Sequence, residues 1–345
     1  MRALVKTGPE PEDLALSDVG DPGEPSMGQV RLEVVATGIC ATDLHIIEGG
    51  FSSSPPVILG HEVAGVVEAV GSGVSEDLLG ARVSCETFFS TCQNCSYCRS
   101  GRPNLCDQRI SIGSRADGGF AERMLIPAIN LRVLPDKLPT SLGALCEPLA
   151  CVVRAMFWPT PSVVPGDRVT VAGPGPIGLL AAQVARAAGG DVRVVGLEAD
   201  AERLSVAGSL GFATATAGPA ASNGVTVAPD VYVECSGAGP SMTAGLAMLR
   251  KGGRFVQIGQ TDALVPVPLA LASFSELTIT GGFASTPASW DKAFQLLADQ
   301  VIDLEPLVSA TYPLADWREA FDATARGDGM KKLITPNDDR PVSER

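Results

Sequence analysis

Short apolar stretches separated by Gly/Pro turns fill roughly the first 150 residues of the chain and predict β-strands. Apolar and polar positions alternate over residues 30–36, and residues 63–70 form a nearly continuous apolar run. Alternation is typical of a strand with one buried face, and a continuous run is typical of a strand that is buried on both. This half of the chain therefore predicts an irregular β-barrel.

The pattern changes after residues 161–166, which are rich in proline and valine. Short buried runs then alternate with Ala-rich stretches of helical length. Strands are predicted over residues 169–172, 192–197, 231–235, 255–258 and 277–280, and a helix over residues 179–188. Strands that alternate with helices in this way predict a parallel sheet covered by helices on both faces.

Length and charge narrow the class of protein. The chain has 345 residues and a net charge of −13, without a block of Lys or Arg. This length predicts two domains, and the acidic balance argues against nucleic acid or an anionic membrane surface as a partner. We find no signal-peptide pattern at the start and no run of about 18 apolar residues. We therefore expect no membrane partner and a cytoplasmic location.

A glycine-rich string follows the first strand of the second half. It has the spacing G-x-G-x-x-G and comprises Gly173, Pro174, Gly175, Pro176, Ile177 and Gly178. Because it joins a β-branched strand to an Ala/Leu helix, it predicts a dinucleotide-binding turn, with the pyrophosphate at the helix N-terminus. The alternative is an ordinary strand–turn–helix without a ligand.

An acidic residue marks the end of the next predicted strand. Glu198 lies 20 residues after Gly178. A carboxylate at this position accepts hydrogen bonds from the adenosine ribose and repels a 2′-phosphate, so it predicts NAD rather than NADP as the cofactor. Arg203, a few residues later, is a further candidate for cofactor binding.

Four of the nine cysteines lie close together in a segment of loop-forming residues. Cys92, Cys95, Cys98 and Cys106 have the spacing C-x2-C-x2-C-x7-C within a lobe of about residues 88–108. Such spacing allows one loop to surround a tetrahedral zinc ion with four thiolates, and an iron–sulfur cluster is the main rival. Because four thiolates complete the coordination of zinc, this ion is predicted to be structural. Cysteines used in this way fit a reducing cytoplasm.

The two histidines of the chain lie in one short N-terminal region. His45 and His61 have Cys40, Asp43 and Glu62 as close neighbours in the sequence. A single histidine is usually structural. Two of them beside cysteine and carboxylates favour a metal site with catalytic chemistry.

These motifs resemble the zinc-containing medium-chain alcohol dehydrogenase family. Residues 38–45 (G-I-C-A-T-D-L-H) are similar to the metal loop of that family, and residues 60–65 (G-H-E-V-A-G) with Gly71 and Val74 match its zinc signature. The cysteine lobe and the glycine string follow in the family's order. Residues 145–149 and 233–237 resemble the sorbitol/threonine dehydrogenase branch. The resemblance covers nearly the whole chain, to about residue 334.

The resemblance implies a second, catalytic zinc ion. Cys40 and His61 match direct ligands of this metal. The acidic positions of the family fall on Glu62 and Glu147, each of which binds the ion either directly or through water. Cys146 is a minor alternative ligand. The chain is thus expected to hold two zinc ions, one catalytic and one structural.

The resemblance also implies roles for three polar residues beside the metal. Asp43 orients His61 through its other ring nitrogen, while Thr42 and His45 form a proton relay. In this reading, zinc with one open coordination position lowers the pKa of a bound alcohol. A hydride then passes to the nicotinamide ring of NAD, and the product is a ketone.

The expected substrate is a secondary alcohol on a small polar molecule, such as a polyol, a cyclitol or an amino-cyclitol. In the polyol branch an Arg–Tyr pair usually stands where this chain has Ala284 and Ser285. That departure favours a compact ring or a short vicinal substrate over an open hexitol. Arg115 is a candidate replacement for the arginine, and a solvated surface residue is the alternative. A threonine-type or simple secondary-alcohol dehydrogenase and a non-catalytic NAD-binding protein are the other readings.

The resemblance implies an α/β protein of two domains. A GroES-like, partly open β-barrel catalytic domain is expected at residues 1–150 and 290–345. A doubly wound parallel-sheet (Rossmann) NAD domain is expected at residues 151–289. Relatives assemble through their NAD domains, so we expect a homodimer or homotetramer, with the strand over residues 277–280 as a candidate for pairing at an exposed edge.

Overall fold

The computed structural model describes residues 1–217, 227–261 and 263–337. The strands are β1 (Arg2–Lys6), β2 (Leu14–Asp18), β3 (Gln29–Gly38), β4 (Val57–Ile58), β5 (Glu62–Val70), β6 (Arg82–Cys85), β7 (Phe88–Ser90), β8 (Ile110–Ser111), β9 (Arg123–Pro127), β10 (Leu131–Val133), β11 (Arg168–Ala172), β12 (Asp191–Gly196), β13 (Ala213–Thr216), β14 (Val231–Glu234), β15 (Arg254–Gln257), β16 (Thr278–Gly281), β17 (Val308–Pro313) and β18 (Lys331–Thr335). The helices are α1 (Ala41–Ile47), α2 (Ser96–Arg99), α3 (Cys146–Phe157), α4 (Pro176–Ala187), α5 (Ala201–Ser209), α6 (Gly239–Met248), α7 (Ala270–Phe274), α8 (Pro287–Ala298) and α9 (Trp317–Ala325).

The chain divides into two compact units. The first contains Met1–Glu147, Thr286–Trp290 and the described residues after Val308, and the second contains Pro148–Ser285 and Asp291–Leu307. The sequence assigned everything after residue 290 to the first domain, whereas most of α8 and the segment up to Leu307 cluster with the second. The apolar residues in this part of α8 are the physical reason, because Ala293, Leu296 and Leu297 are all buried.

The first unit contains mostly antiparallel strands. Its main sheet has the order β10-β6-β5-β3-β18-β17, with β9 also paired to β3. Val30, Leu32 and Val34 alternate with partly exposed polar residues on β3 and pack with Val63 and Val67 of β5 in one apolar cluster. The prediction of an irregular β-structure in this half is confirmed.

A second apolar cluster supports α1, the helix that follows β3. Ile39 and Ile46, at the two ends of the α1 segment, pack with Phe120 and with Phe321 of α9. The Phe120 and Phe321 rings meet edge-on with centroids 5.6 Å apart. Burial of these large side chains fixes the position of α1, which carries several of the candidate site residues.

The second unit is a parallel sheet with the strand order β13-β12-β11-β14-β15-β16. The order runs outward from β11 in one direction and from β14 in the other, as in a doubly wound α/β fold. The prediction of this fold class is confirmed. Strand β13 was not predicted, because its sequence A-T-A-T is short, small and mostly exposed.

One stretch of the described chain, Thr140–Phe157, has the length and hydropathy of a membrane-spanning helix, but 72% of it is buried inside the fold. It joins a 3-10 turn to α3 and contains Glu147 and Arg154. Burial of this kind is typical of a core helix.

Candidate metal and nucleotide sites

Strand pairing brings the first metal-binding group together. Gly38 at the end of β3 lies opposite Glu62 at the start of β5. Cys40 follows Gly38 at the N-terminal cap of α1, and His61 precedes Glu62. As a result, one ligand atom from each of Cys40, His61 and Glu62 lies within 4.8 Å of the others.

Asp43 contacts two members of this group, His61 and Cys40. Its carboxylate is fully buried, with Oδ1 3.3 Å from Nδ1 of His61, and Oδ2 accepts a hydrogen bond of 2.9 Å from the backbone N–H of Cys40. Because Asp43 faces Nδ1, the other ring nitrogen of His61 is available to a metal. Burial opposes protonation of His61, but Asp43 and Cys40 outweigh it and raise the pKa of His61 well above its usual range. A proton and a cation therefore compete for this imidazole.

Glu62 pairs with a lysine from the far end of the chain. Nζ of Lys331, on β18, lies 2.7 Å from Oε1 of Glu62 and donates a hydrogen bond of 3.0 Å to the carbonyl of Ile39. Both side chains are buried, with 7% of Lys331 and 1% of Glu62 exposed. Burial lowers the pKa of Lys331, but Glu62 and then Cys40 raise it, and the outcome is a pKa above the usual range. Lys331 thus stays charged beside the metal-binding group.

The buried polar atoms of this group fit a cation. Oε2 of Glu62 is buried and, among the described residues, receives no hydrogen bond. A Cβ at Gly38 would lie 2.0 Å from this oxygen, so only glycine leaves room for the Glu62 carboxylate here. A thiol, an imidazole and a carboxylate form a donor set that zinc accepts.

Thr42 and His45 both lie on α1 beside the metal-binding group. Oγ1 of Thr42 is 3.6 Å from Sγ of Cys40, and the side chains of Thr42 and His45 are partly exposed. They are three residues apart, which places them on the same face of the helix. The structure therefore gives the predicted relay pair a common face that begins next to the Cys40 sulfur.

The structure does not bring Glu147 into the metal-binding group. Glu147 lies on the first turn of α3 and is buried, but it is not among the residues whose ligand atoms converge with Cys40, His61 and Glu62. Cys146, the minor alternative ligand, is also absent from this group. Its thiol is fully buried, which raises its pKa to about 12, and it interacts with Ser84. Of the acidic pair, Glu62 is thus the better placed.

The four cysteines of the lobe converge as their spacing predicts. Ligand atoms of Cys92, Cys95, Cys98 and Cys106 lie within 4.8 Å of one another. Sγ of Cys92 is 3.6 Å from Sγ of Cys106 and 3.9 Å from Sγ of Cys98. Backbone N–H groups of Cys95 and Cys98 donate to the sulfurs of Cys92 and Cys95 at 3.3 and 3.4 Å.

The electrostatics of this cluster favour a bound cation. Hydrogen bonds from the backbone of Asn94 and Cys95 lower the pKa of Cys92 to about 6. Desolvation raises the pKa of Cys98 to about 11, and the neighbouring sulfurs add to this effect. Four thiolates cannot share this volume without a positive charge, so the lobe fits a structural zinc ion.

The glycine string joins β11 to α4 in the second unit. Gly173 has a φ of 95°, in the left-handed region that favours glycine. A Cβ at Gly178 would lie 1.8 Å from the carbonyl oxygen of Gly173, so the third glycine allows the helix to approach the turn. Gly175 caps α4, and Pro176, which has no N–H, is its first residue. The N–H groups of Ile177 and Gly178 in the first turn have no partner within the helix. This is the geometry of a pyrophosphate-binding turn.

Glu198 and Arg203 lie beyond the end of β12. The strand ends at Gly196, so Glu198 begins a 3-10 turn instead of closing the strand as predicted. Its side chain is exposed and available to a ribose. Arg203 on α5 lies 3.8 Å from Asp200, whose carboxylate accepts the backbone N–H of Leu197.

Sequence reasoning missed Lys331. Lysines at the start of the buried strand β18 (K-K-L-I-T) were a usable signal, because buried lysines are rarely unpaired. Its partner Glu62 is 269 residues away, so the sequence alone does not show the pair.

Two sequence families match the chain. The alcohol dehydrogenase GroES-like domain matches residues 26–136, and the zinc-binding dehydrogenase family matches residues 176–299. These matches coincide with the β-rich half and with most of the parallel sheet.

Curated proteins and solved structures are similar over nearly the full length. A sorbitol dehydrogenase of Halalkalibacterium halodurans is 37% identical, with 98% of this chain and 100% of the relative covered. A D-arabitol-phosphate dehydrogenase of Enterococcus avium is 34% identical, with 98% of each covered. The crystal structure of an Escherichia coli CFT073 protein described as a short chain alcohol dehydrogenase, in complex with NADH, superposes with a TM-score of 0.87 at 25% identity and covers 97% of this chain and 99% of that one.

Proposed function

Because this chain belongs to the zinc-binding alcohol dehydrogenase family, in the branch that includes sorbitol dehydrogenase, we propose that it oxidises a secondary alcohol of a small polyol-like molecule to a ketone with NAD. The observation that carries this proposal is the convergence of Cys40, His61 and Glu62 within 4.8 Å. The chain takes two zinc ions, one catalytic and one structural, and NAD as cofactor.

The catalytic zinc would be held by Cys40 and His61, with Glu62 as the carboxylate nearest to them. When bound, zinc supplies a Lewis acid that makes the alcohol hydroxyl more acidic, and NAD supplies the hydride acceptor. Asp43 keeps the imidazole of His61 in a fixed orientation, and Lys331 holds Glu62 by one oxygen. Glu147, which is not in the converging group, is proposed to act through water.

The proton of the alcohol would leave by the exposed face of α1. Thr42 accepts it at Oγ1 while its own hydroxyl proton is released, and His45 delivers a proton to solvent. The position of Thr42 beside the Cys40 sulfur supports this assignment.

The pyrophosphate of NAD would bind at Gly173–Gly178 and the N-terminus of α4. Glu198 would accept hydrogen bonds from the adenosine ribose, with Arg203 on the helix that follows. The exposed carboxylate of Glu198 would repel a 2′-phosphate, and neither Ala199 nor Asp200 supplies a positive charge to bind one. Both features favour NAD over NADP.

The substrate proposed is an alcohol with a neighbouring hydroxyl or amino group. A carboxylate beside a metal with a single thiolate makes a harder site that favours additional polar groups. The curated relatives named above act on sorbitol and on a phosphorylated pentitol, both of which carry vicinal hydroxyls. Ala284 and Ser285 replace the expected Arg–Tyr pair, which favours compact or short substrates.

A comparison of three alcohols tests this substrate class. We expect kcat/KM for trans-1,2-cyclohexanediol to exceed that for cyclohexanol by more than about tenfold, because a site built for a second polar group rejects an analogue without it. The kcat/KM for sorbitol, compared with that for the cyclic diol, shows how well the site accepts an open hexitol. Equal use of cyclohexanol would replace the proposal by a simple secondary-alcohol dehydrogenase.

Self-association through the second unit is part of the proposal. Strand β16 is the edge of the parallel sheet, and Ile279 on it is exposed together with Leu264, Leu269 and Phe274. An apolar edge of this kind invites pairing with a second copy. We expect a dimer or tetramer in sedimentation at micromolar concentration, and a monomer would contradict the assembly.

A cytoplasmic location is also proposed. None of the nine cysteines forms a disulfide bond, and five of them lie in the two metal-binding groups. Thiols that must bind metal persist in a reducing compartment.

A further inference from the structure

A buried carboxylate stands at the C-terminal end of β14, outside the residues assigned above. Glu234 is fully buried, and its two oxygens accept hydrogen bonds from the backbone N–H groups of Ser236 at 2.9 Å and Gly237 at 3.1 Å. Nε2 of Gln257 donates at 3.2 Å, and the Ser236 hydroxyl donates to the same carboxylate. All four donors are neutral groups. A buried carboxylate that is held by N–H and O–H donors fixes the backbone that supplies them.

These contacts lock two turns of the second unit together. The backbone N–H of Gly259, after β15, donates 2.8 Å to the carbonyl oxygen of Glu234, and Nε2 of Gln257 also donates to the carbonyl of Gly259. A Cβ at Gly259 would lie 2.4 Å from the backbone nitrogen of Gly237 and 2.6 Å from Oε2 of Glu234. The turn after β14 therefore cannot move without the turn after β15.

The same turn contacts the pyrophosphate-binding string. The backbone N–H of Cys235 donates 2.8 Å to the carbonyl of Ala172, the residue before Gly173. A Cβ at Gly173 would lie 2.8 Å from both Cα and N of Ser236. The first glycine of the string thus packs directly against the turn that Glu234 holds.

Strand order places this turn at the nucleotide crevice. β11 and β14 are neighbours in the sheet, and the chain continues from β11 towards β12 and from β14 towards β15. Ligands of open α/β sheets bind at such a switch point, outside the carboxyl ends of the strands. Glu198 follows β12, on the adenosine side. The opposite half of the cofactor therefore extends over the turns after β14 and β15.

We propose that Glu234 is a positioning residue for the nicotinamide–ribose half of NAD. It acts through the backbone of Ser236 and Gly237, which it holds against Gly173 and Gly259. The inference rests on the proposed function, because it presumes that NAD is the cofactor.

We call the hydrogen bonds of Glu234 with Ser236, Gly237 and Gln257 the Glu234 clamp. The test uses two variants that weaken this clamp. Glu234→Gln replaces one acceptor oxygen by an amide that faces N–H donors, and Gln257→Leu removes the side chain that joins Glu234 to Gly259. The matched control is Asp230→Asn, which alters a carboxylate at the opposite, N-terminal end of the same strand, where it pairs with Arg168 and Arg250. Fluorescence titration gives the Kd of NADH, and displacement gives the Kd of AMP, which carries only the adenosine half.

The expected result separates the two halves of the cofactor. In Glu234→Gln the Kd of NADH rises at least about tenfold, because all the hydrogen bonds to the charged carboxylate are weakened. In Gln257→Leu it rises less, because the bonds from Ser236 and Gly237 to the carboxylate remain. The Kd of AMP stays within about twofold in both variants, and Asp230→Asn changes neither. Zinc content and circular dichroism confirm that each variant is folded, and Gln257→Leu carries the test if Glu234→Gln does not fold.

Two outcomes overturn the inference. Unchanged NADH affinity in the folded variants would show that the clamp does not position the cofactor, and an equal loss of AMP and NADH affinity would show a general structural role. A wild-type protein that fails to bind NADH would contradict the proposed function itself, which distinguishes that failure from the failure of this inference.

Discussion

At the scale of single residues, the charges around Glu62 are expected to set the zinc affinity of the proposed catalytic site. Lys331 occupies one carboxylate oxygen, while the other oxygen receives no hydrogen bond from the described residues. A fixed positive charge beside a cation site lowers the affinity for the cation. When the metal is absent, the lysine also compensates the negative charge of the buried Glu62 carboxylate.

Replacement of Lys331 by methionine tests this arrangement. In Lys331→Met we expect the metal-free protein to lose about 3–5 kcal/mol of stability, because one partner of a buried ion pair is removed. Zinc affinity at the catalytic site should rise at least tenfold, because Glu62 is freed and a nearby positive charge is gone. Thermal unfolding without metal and zinc competition with a chelator measure the two effects.

Lys332→Met is the matched control. Lys332 is the next residue on β18, so its side chain leaves the opposite face of the strand, and its Nζ donates to the carbonyl of Met330. We expect this variant to leave the zinc affinity unchanged. A zinc affinity that stays constant or falls in Lys331→Met would contradict the role given to this lysine.

At the scale of elements, different structural features hold the two sets of metal-binding residues in place. Cys40 lies at the cap of α1, which Ile39, Ile46 and Phe120 hold by apolar packing. The cysteine lobe contains the one-turn helix α2, a 3-10 turn at Pro103–Leu105 and the short strand β7, and three of its four ligands are partly exposed. We therefore expect the lobe to depend on its metal for order, and the proposed catalytic site to remain folded without one.

Matched serine variants distinguish the two sites. We expect Cys40→Ser to abolish activity, retain one zinc per chain and keep a melting temperature near that of the wild type. Cys98→Ser should also retain one zinc but unfold at a clearly lower temperature. Metal analysis with calorimetry measures both quantities. Equal destabilisation of the two variants would contradict this division of roles.

An ion-pair network of Asp230, Arg168 and Arg250 lies at the N-terminal ends of the central strands of the parallel sheet. Its contribution to the free energy of unfolding should depend on pH. Burial alone would raise the pKa of Asp230, but hydrogen bonds from Arg250 and Arg168 outweigh it and hold the pKa well below its usual range. Nε of Arg168 is 2.9 Å from Oδ2 of Asp230, and Arg250 contacts the other oxygen. Since the folded pKa is depressed, the stabilisation is complete above the unfolded pKa of about 3.9.

We therefore expect Asp230→Asn to lower the free energy of unfolding by about 1–2 kcal/mol at neutral pH, a figure reduced for the exposure of the two arginines. The gap between wild type and variant should persist down to about pH 4 and shrink below it, because the Asp230 carboxylate is then protonated in the unfolded wild-type chain. Melting temperatures of both proteins at pH 7, 5 and 3.5 measure it, and loss of metal at low pH affects both alike. A gap that grows on acidification would contradict this account.

The sequence predicted strands and helices correctly where hydrophobic periodicity and turn residues indicate the same structure. β3, β5, β11 and the turn into α4 follow from alternation, buried runs and glycine spacing, within one to three residues. β13 was missed because an edge strand of small, exposed residues carries no such signal. Long-range pairs such as Lys331 with Glu62, and the failure of Glu147 to join the ligand group, depend on how the strands and helices pack, which local patterns do not encode.

At the scale of the whole molecule, two units each contribute one requirement of the reaction. The first unit has the converging residues proposed to bind the catalytic zinc and the cysteine lobe, and the second has the glycine string proposed to bind the pyrophosphate of NAD. Family membership and near full-length similarity to polyol dehydrogenases agree with this division of labour. The chain is thus equipped both to bind an alcohol at zinc and to bind NAD.

The most direct test follows NADH formation by absorbance with NAD and trans-1,2-cyclohexanediol or sorbitol while the zinc content is varied. The account predicts turnover at two zinc ions per chain. A chelator that removes the catalytic zinc should stop turnover, and added zinc should restore it. Full activity after loss of that zinc, or no NADH formation from any secondary alcohol at two zinc ions per chain, would contradict the assignment.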